Sequence, residues 1–489
     1  MKIIVIGAGL AGAATAHALA VRGCEVTVLE ASEPCALPSP GALASLGAMA
    51  SPSPSVATAI AAAAAATPSA QREARSAPSA GLPVALLAPH QTQAKTQPYL
   101  AQQQGHPHTP DGTAPSPTSP TSPLTQLSRL GVATTLQAAR SLLLEGQDWQ
   151  LCGALQRAGK LGPQAHWFGD AAWIKPAALV AAWLAHPRIT VRTGALVHSL
   201  RRRPLHKLHN TQGGDTAAIN LKPEEITIDD LSNSKNTTWQ VLLADGQLAD
   251  QAHTVVLANA YQAQALLAQL ELNQIDQLTQ PGGLPKSGSA ALGLSNTSSI
   301  ALAAALHQVA GQVIYGPWTA DWQALWPTLL HELAQHSPQS NDHTTPCAIN
   351  GNGHFIPAVP WQGGYIWLSG STYEHDAPHN PRVTAQGMAS NLQRLQQLIP
   401  GAGHLLAAQH SAGLVEGWAG TRCTTRDRLP MVGAVSADHA PGLYVCSAMG
   451  SRGLSFAALC GQHVAAQIMQ ASSPLPDDVR RAIDVARFF

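Results

Sequence analysis

The sequence is poor in charged residues. Only 11% of its 489 residues are Asp, Glu, Lys or Arg, and their formal charges sum to zero. This balance indicates neither a nucleic acid nor an acidic partner, although a local basic groove can exist inside a neutral total. The longest apolar run outside the N-terminus, VATAIAAAAAA, is too short and too rich in alanine to span a bilayer. We therefore expect a soluble, cytoplasmic protein with no membrane partner.

Paired cysteines and metal-binding motifs are also missing. The seven cysteines form no CxxC pair, so the sequence suggests neither a zinc site nor a disulfide framework. The 21 histidines show no spacing of the HExxH type. We expect reduced cysteines and no metal ion.

The first motif lies at the N-terminus. A strand at 3–7, a helix at 10–22 and a strand at 25–30 are predicted from the apolar pattern, with glycines at GxGxxG spacing between the first two. Such glycines allow a tight turn, close approach of a diphosphate and close helix packing. The diphosphate then lies on the helix N-terminus. The predicted dinucleotide contacts are Gly7, Ala8, Gly9, Leu10, Ala11, Gly12 and Glu30.

Glu30 ends the second predicted strand, where its carboxylate can accept hydrogen bonds from the ribose hydroxyls. A carboxylate there argues against a 2′-phosphate and therefore against NADP. FAD and NAD both use this fingerprint. The segment VVLANA, at 255–260, has two interpretations. It is either a second backbone segment that passes close to the adenosine half of the cofactor or an ordinary core strand.

An arginine-rich segment follows much later, at 417–435, and reads GWAGTRCTTRDRLPMVGAV. Arginine suits bidentate capture of a carboxylate, whereas the alternative interpretation is a solvated charged loop. The segment precedes a last strand–glycine–helix unit, AMGSRGLSFAALCG at 448–461, whose glycines bracket Ser451 and Arg452. A glycine-bracketed helix start can bind a phosphate, but GAGLAG already provides that site.

These segments, together with HWFGDAAWIKPAALVAAWLAHPRITVR, resemble the FAD-dependent D-amino-acid-oxidase/glycine-oxidase superfamily. Within it, the sequence is most similar to the oxidoreductase domain of the bifunctional enzymes of tRNA 5-methylaminomethyl-2-thiouridine synthesis. The resemblance implies FAD as cofactor and a modified tRNA as substrate. It implies oxidation of an amine that removes a carboxymethyl group from the wobble uridine and releases glyoxylate. Arg422, in the RxxTxD pattern, is then expected to bind the carboxylate as the catalytic residue.

The resemblance also extends the expected cofactor site. The turn at 449–454 is expected to bring backbone N–H groups and a helix N-terminus against the flavin ring, where they stabilise negative charge. The role of Arg452 stays open between flavin, substrate and tRNA phosphate. The additional cofactor-binding residues are Val197, Ala258, Met449, Gly450, Ser451, Arg452, Gly453 and Leu454.

The predicted fold class is α/β, with a Rossmann-like FAD-binding domain and an α+β substrate domain built on a mixed or antiparallel sheet, as in D-amino-acid oxidase. The FAD-binding domain is expected to comprise residues 1–33, 81–105, 254–262 and 416–489. Residues 125–253 are expected to mix both domains, and residues 263–415 to form the substrate domain. Segments outside a packed core are predicted from Ala/Pro/Ser, Pro/Ser/Thr or polar composition at 34–80, 106–124, 204–237 and 272–299.

Two departures from the family pattern affect the interpretation. The chain begins at the FAD strand, so a separate methyltransferase is expected for the step that follows. Ala310 occupies a position where relatives tend to carry an arginine. Two alternatives therefore stay open: an oxidase of a free small amino acid of the glycine or D-amino-acid type, and an inactive flavin- or RNA-binding relative.

Weaker signals have two interpretations each. The basic run RRRPLHKLH, at 201–209, and the tail VRRAIDVARFF could contact RNA phosphates or be solvated. His166, Trp167 and Trp173 could stack on a nucleobase or pack in the core. Lys175, before a predicted helix, could serve the substrate or border solvent.

Overall fold

The computed structural model of the chain describes residues 1–32, 81–89, 122–157, 165–204, 237–278, 298–334, 346–375, 381–436 and 440–488. The segment 34–80, predicted to lie outside a packed core, is wholly outside the described residues, as is most of the polar segment 204–237. All sheets, helices and contacts named below belong to these residues.

The strands, in chain order, are β1 (Lys2–Ile6), β2 (Glu25–Leu29), β3 (Ala85–Leu87), β4 (Trp149–Leu151), β5 (Ala154–Gln156), β6 (His166–Phe168), β7 (Ala172–Ile174), β8 (Ile189–Arg192), β9 (Val197–Pro204), β10 (Thr237–Leu243), β11 (Leu248–Ala252), β12 (Thr254–Leu257), β13 (His307–Pro317), β14 (Ala348–Gly351), β15 (Gly353–Trp361), β16 (Gly364–Gly370), β17 (Glu416–Thr424), β18 (Met431–Ser436) and β19 (Ala440–Ser447).

The α-helices are α1 (Leu10–Val21), α2 (Pro123–Leu142), α3 (Pro176–Leu184), α4 (Ala263–Leu278), α5 (Ser298–Ala305), α6 (Ala320–Ala334), α7 (Ala385–Leu398), α8 (Gly403–Ser411), α9 (Gly453–Ile468) and α10 (Asp477–Ile483). Short 3₁₀ turns occur at Ala260–Gln262, Pro400–Ala402, Gly450–Arg452 and Val485–Phe488.

A six-stranded sheet in the order β18-β19-β12-β1-β2-β8 joins the two ends of the chain. All neighbours are parallel except β18, which runs antiparallel to β19 at one edge. The central strand β1 is buried from Ile3 to Ile6 because helices and loops cover both of its faces, as in other parallel sheets. The strand, helix and strand predicted from the N-terminal sequence pattern are thus confirmed.

Helices α1 and α9 pack closely against each other because their contact is lined by small residues. A Cβ added at Gly461 of α9 would lie 2.8 Å from the backbone of Ala14 and Thr15 in α1. Helix α2 approaches α9 equally closely, since a Cβ at Gly131 would lie 1.9 Å from the carbonyl oxygen of Ser455. The Thr135 hydroxyl donates to the Leu454 carbonyl at 2.9 Å and fixes the start of α9.

The second large sheet has seven strands in the order β17-β13-β16-β15-β14-β5-β6, and all pairs except β14–β5 are antiparallel. Its core contains a cluster of rings, in which Trp318 stacks on Trp322 at 5.3 Å between centroids. Gln409 of α8 accepts hydrogen bonds from the indoles of Trp322 and Trp367 and donates to the Pro317 carbonyl. This buried polar network ties α8 to the sheet.

Two three-stranded sheets complete the fold, β11-β10-β9 and β3-β7-β4. An Asp-Gly turn joins β10 and β11, with Gly246 at φ 79°, a conformation that favours glycine. No helix among the described residues has the length and apolar character required to span a bilayer.

The structure differs from three predicted boundaries. Residues 272–278 continue α4 and 298–299 begin α5, so the predicted irregular segment 272–299 is wrong at both ends. Helix α2 begins at Pro123, inside the predicted insertion 106–124, because the Ser122 side chain caps it by accepting from the Thr125 N–H at 3.3 Å. The predicted boundary at 416 coincides with β17, which belongs to the seven-stranded sheet; the chain returns to the six-stranded sheet at Met431.

The C-terminal tail is fastened by an ion pair. The Asp427 carboxylate accepts from the Arg487 guanidinium at 2.9 Å, from the Thr425 hydroxyl at 2.7 Å and from the Leu429 N–H at 3.0 Å. Burial opposes ionisation of Asp427, but these hydrogen bonds and the charge of Arg487 outweigh it and lower the pKa of the carboxyl group below its ordinary value of 3.8. The charged form of Asp427 therefore stabilises the folded state.

We predict that Asp427→Asn lowers the free energy of unfolding near neutral pH by about 1–2 kcal/mol, as expected for hydrogen bonds to a charged group. Because the folded pKa is depressed, this difference is fully present above the ordinary value of 3.8 and shrinks as the pH falls through the lower folded value. Urea denaturation of both proteins over a pH series measures it. In the exposed pair of Asp477 with Arg480, Asp477→Asn should cost at most about 0.5 kcal/mol. Equal losses for both variants would contradict the assignment.

Candidate functional site

The glycines of GAGLAG have three different environments. Gly7 has φ 102°, and a Cβ added there would lie 2.7 Å from the Ala258 carbonyl oxygen. A Cβ at Gly12 would lie 1.8 Å from the Gly7 carbonyl oxygen, so only glycine allows α1 to begin this close to the loop. A Cβ at Gly9 would meet nothing within 4 Å. The space in front of the α1 N-terminus is therefore open, and no side chain caps that helix.

Glu30 lies beside this loop. Its carboxylate accepts from the Ala8 N–H at 2.7 Å and from the Ser32 N–H at 3.2 Å. Its carbonyl accepts from the N–H of Ala195, two residues before Val197 at the start of β9. The Ala258 N–H donates to the Ile6 carbonyl at 2.9 Å. The residues predicted to contact the adenosine half, which are far apart in the sequence, thus gather around one end of the six-stranded sheet.

The glycine-bracketed turn near the C-terminus lies next to the start of α1. A Cβ at Gly453 would lie 3.3 Å from the Leu10 side chain and 3.8 Å from that of Met449. Gly450 has φ 59° and faces the Thr424 hydroxyl, 3.7 Å from the position of an added Cβ. The N-termini of α1 and α9 are therefore neighbours, and the residues predicted from both ends of the chain lie together.

The members of this turn differ in what they expose. The Leu454 side chain is buried among the helices, so only its backbone is left for a ligand. Ser451 is exposed, and burial lowers the pKa of the half-buried Arg452 guanidinium. The Ala11 carbonyl is already used within α1, where it accepts a hydrogen bond from the Thr15 hydroxyl.

Arg422 reaches across a neighbouring strand. From β17 its guanidinium crosses β13 at Gly311, where an added Cβ would lie 2.3 Å from a terminal nitrogen. It donates to the Ser371 hydroxyl at 2.6 Å and to the Thr372 carbonyl at 3.2 Å. Burial lowers the pKa of Arg422, but an arginine stays protonated at any physiological pH. Within the described part of the chain no carboxylate pairs with it.

Tyr373 connects Arg422 to the turn. The Arg422 guanidinium carbon lies 4.6 Å from the centre of the tyrosine ring, and 55% of Tyr373 is exposed. Burial opposes ionisation of the phenol, but the charges of Arg422 and Arg452 and hydrogen bonds with Ser451 and Ser371 outweigh it and lower its pKa. The ring therefore covers the guanidinium on one side while its hydroxyl contacts Ser451.

His354 of β15 completes this group. Its register partner is Gly370, directly before Ser371. Burial, reinforced by the positive charge of Arg422, lowers the pKa of His354 to about 4. The imidazole is therefore neutral at neutral pH and adds no second charge beside the guanidinium.

Sequence reasoning assigned no role to Gly311, His354, Ser371 or Tyr373. In the segment GSTYEH, a run of hydroxyl-bearing residues directly after a strand is a recognisable signal. Nothing in the sequence near Gly311 indicates its role. Glycine is needed there because the side chain of Arg422, 111 residues later, passes over this position. These roles depend on strand pairing between distant segments.

Several other predicted signals have ordinary structural roles. Trp173 is 2% exposed and lies in the core. Trp167 packs its ring on Gly153, where an added Cβ would lie 2.3 Å away. In the tail, Arg480 pairs with Asp477, and Arg487 pairs with Asp427. Arg201 and Arg203 are exposed on β9, an edge strand, whereas residues 205–209 of the basic run lie outside the described residues.

Comparison with known proteins agrees with this geometry. A family model described as DAO, FAD dependent oxidoreductase, matches residues 2–284 and 243–467. Curated relatives include the tRNA 5-methylaminomethyl-2-thiouridine biosynthesis bifunctional proteins MnmC of Albidiferax ferrireducens and Paracidovorax citrulli, both 31% identical. The matches cover 99% and 98% of this chain but only 58% and 59% of those relatives.

Solved structures show the same fold at low identity. Glycine oxidase from Geobacillus kaustophilus superimposes with a TM-score of 0.54 at 15% identity, covering 99% of both chains. Iminodiacetate oxidase from Chelativorans sp. BNC1 has a TM-score of 0.53 at 15% identity, covering 99% of this chain and 98% of its own. The predicted α/β fold, with its second mixed sheet, is confirmed. The dinucleotide loop, the sheet that joins both chain ends and the match across nearly the whole chain establish that this protein belongs to the DAO family of FAD-dependent oxidoreductases.

Proposed function

We propose that this chain removes the carboxymethyl group from 5-carboxymethylaminomethyluridine, or its 2-thio form, at the wobble position of tRNA, giving the aminomethyl nucleoside and glyoxylate. The observation that carries the proposal is the Arg422 guanidinium, which faces the site without a carboxylate partner among the described residues. A substrate carboxylate would supply the missing charge. The names of the MnmC relatives support tRNA as the source of that substrate.

The chain spans less than two thirds of those bifunctional relatives, so the methyltransferase step is proposed to reside in a separate polypeptide or segment. Cytoplasmic tRNA is the matching substrate pool. Both statements depend on the proposed reaction.

The residues of the dinucleotide site fit FAD. The open space at Gly9 accepts a diphosphate at the α1 N-terminus, and Glu30 lies where ribose hydroxyls would reach it. The turn at 449–454 supplies a second helix N-terminus next to the first. When bound, FAD supplies the two-electron oxidation of the substrate's N–CH₂ bond to an imine, whose hydrolysis gives the amine and glyoxylate.

Arg422 orients the substrate. Its two terminal nitrogens already hold neutral acceptors at Ser371 and Thr372, so the group is fixed before the substrate arrives. Tyr373 covers one face of the guanidinium and reduces its contact with water, which strengthens its attraction for a carboxylate. A fixed arginine of this kind suits the planar, bidentate geometry of a carboxylate.

The local charge also favours the reactive form of the amine. Amine oxidation requires an unprotonated nitrogen, and Arg422 and Arg452 both place positive charge near Tyr373. Positive charge lowers the pKa of a neighbouring amine. Neutral His354 can accept a hydrogen bond but adds no negative charge that would stabilise an ammonium group.

We predict that Gly9→Ala weakens FAD binding about 10–100-fold, because an added methyl group enters the space proposed for the diphosphate and overpacking costs about 1–3 kcal/mol. The apoprotein should unfold at the same temperature as wild type, since nothing lies within 4 Å of that methyl position. Fluorescence titration of the apoprotein with FAD measures the affinity. Gly403→Ala, at another helix start with open space, is the matched control and should bind FAD normally. Normal FAD binding by Gly9→Ala would place the diphosphate elsewhere.

We predict that Arg422→Ala lowers kcat/KM about 100–1,000-fold, because the substrate carboxylate loses its charged partner at a cost of roughly 3–4 kcal/mol. FAD content should stay at the wild-type level, and Arg422→Lys should recover part of the loss. Steady-state kinetics with flavin absorbance of the purified proteins tests both points. Arg426→Ala, four residues away and exposed, should match wild type. Equal loss of FAD and turnover in Arg422→Ala would make Arg422 a structural residue.

We predict that tRNA from cells lacking this gene accumulates the carboxymethylaminomethyl nucleoside, detected by mass spectrometry of digested tRNA. The wild-type gene should restore the aminomethyl product, and the Arg422→Ala gene should not. With purified protein, glyoxylate should appear with modified tRNA and not with glycine or sarcosine. Turnover of glycine or sarcosine without turnover of tRNA would favour the oxidase of a free amino acid. Absence of bound FAD after reconstitution would favour the inactive relative.

A further inference from the structure

A cavity of about 450 Å³ lies beside the Arg422 site, within the size range of small-molecule sites. It is formed between the 3₁₀ turn after β12 and the start of β13, with α4, the end of α5 and the segment after β16 around it. Two of its lining residues, Ala304 and Leu306, are aliphatic. The others carry an aromatic ring or a hydrogen-bonding group: Tyr261, Gln264, His307, Gln308 and His375.

The cavity and Arg422 share one face of the seven-stranded sheet. In the β13–β17 pair, His307 lies opposite Thr424 and Val309 lies opposite Arg422. Residues opposite each other or two apart along a strand point to the same face, so His307 and Arg422 do so. His375 follows Tyr373 by two residues on the other side of β13. The cavity lining thus includes a residue, His375, that is two residues, about 6–7 Å of extended chain, from Tyr373, whose ring covers the guanidinium.

The lining is polar but carries no permanent charge. Among the described residues that form it there is no Lys, Arg, Asp or Glu. The Gln264 amide N–H donates to the Ala303 carbonyl, which leaves its side-chain oxygen as an acceptor. The His307 Nε2 is buried and has no hydrogen-bond partner within the described structure, a costly state that a ligand would relieve if the ring turned this nitrogen towards the cavity.

These properties select a neutral, planar, hydrogen-bonding ligand. A phosphate or carboxylate would find no cation here, and an aliphatic ligand would leave the histidine and glutamine groups unpaired. A nucleobase offers donors and acceptors at its edge and a face that can stack on Tyr261. The chemistry of the lining therefore matches a base rather than the backbone of a nucleic acid.

We propose that this cavity binds the uracil ring of the modified nucleoside, with its C5 arm extending to Arg422. The proposal rests on the proposed function and names the part of the site that would distinguish a nucleoside from a free amino acid. From C5 to the carboxylate carbon the arm contains four bonds and spans about 5 Å. That length is comparable to the roughly 6–7 Å of chain between His375 of the cavity and Tyr373 at the guanidinium.

The experiment uses FAD-loaded protein and two probes that cannot be oxidised to an imine. The first is 5-(carboxymethoxymethyl)uridine, in which an ether oxygen replaces the amine nitrogen. The second is methoxyacetate, the same arm without the base. Isothermal titration calorimetry measures the dissociation constants of both. The nucleoside should bind at least about tenfold more tightly than methoxyacetate, because stacking of a base on an aromatic ring contributes about 1–3 kcal/mol.

Two variants test the cavity itself. Ala304 is exposed at its wall, so Ala304→Trp should fill the cavity and remove the advantage of the nucleoside, about tenfold, without changing methoxyacetate binding. His307→Phe keeps a ring and removes the hydrogen bond, so it should weaken the nucleoside about fivefold. Ala407→Trp, exposed on α8 and away from the cavity lining, is the matched control and should change neither constant.

Each contrary outcome has a definite meaning. A nucleoside that binds no more tightly than methoxyacetate, or not at all, overturns the proposal. Variants that weaken both probes equally, or neither, also overturn it, and loss of FAD from Ala304→Trp would assign the cavity to the cofactor. If the probes behave as expected but modified tRNA is not turned over, the proposed reaction fails while the base-binding cavity stands. If tRNA is turned over but the variants have no effect, the cavity proposal alone fails.

Discussion

The close approach of α1 and α9 is the constraint on which the rest of the molecule depends. Glycine is present at the tightest points of these contacts, as at Gly12 and Gly461, where an added Cβ would overlap backbone atoms. This contact joins residues separated by more than 400 positions and places two helix N-termini side by side. In FAD the diphosphate lies between the adenosine and the flavin half, so this arrangement would allow the diphosphate to meet one helix N-terminus and the flavin ring the other.

The second constraint is a charge, that of the Arg422 guanidinium, for which the described residues supply no counter-charge. Arg422 is partly desolvated, and its present partners are a hydroxyl, a carbonyl and an aromatic ring. Such an arrangement orders the guanidinium without neutralising it, as the proposed binding of a carboxylate requires. Burial lowers the pKa of His354 and the charge of Arg422 adds to this effect, while the same charge lowers the pKa of Tyr373 against the effect of burial. The absence of a side chain at Gly311 permits this position, which links a backbone feature of β13 to the chemistry.

A feature of this structure could be predicted when the residues that form it lie close together in the sequence. The strand–glycine–helix unit at the N-terminus was predicted correctly because its glycines, apolar strand residues and acidic strand end lie within 30 residues of each other. The importance of Arg422 came from a motif, RxxTxD, and not from local physics. The irregular segment 272–299 was misjudged at its ends because weak composition signals do not show that Leu266 and Leu267 are held in a tertiary core that lets α4 continue.

Family membership and the presence of a dinucleotide site were determined by the sequence itself, because glycine spacing and strand periodicity express short-range sterics and hydrogen bonding. Only the tertiary structure decided which groups surround Arg422, since Ser371, Tyr373 and His354 reach it through the register of β13, β15, β16 and β17. It also decided that the two glycine-rich turns, GAGLAG and GSRG, lie next to each other. Register and helix packing are set by the burial of many side chains at once, and no single stretch of the sequence contains that information.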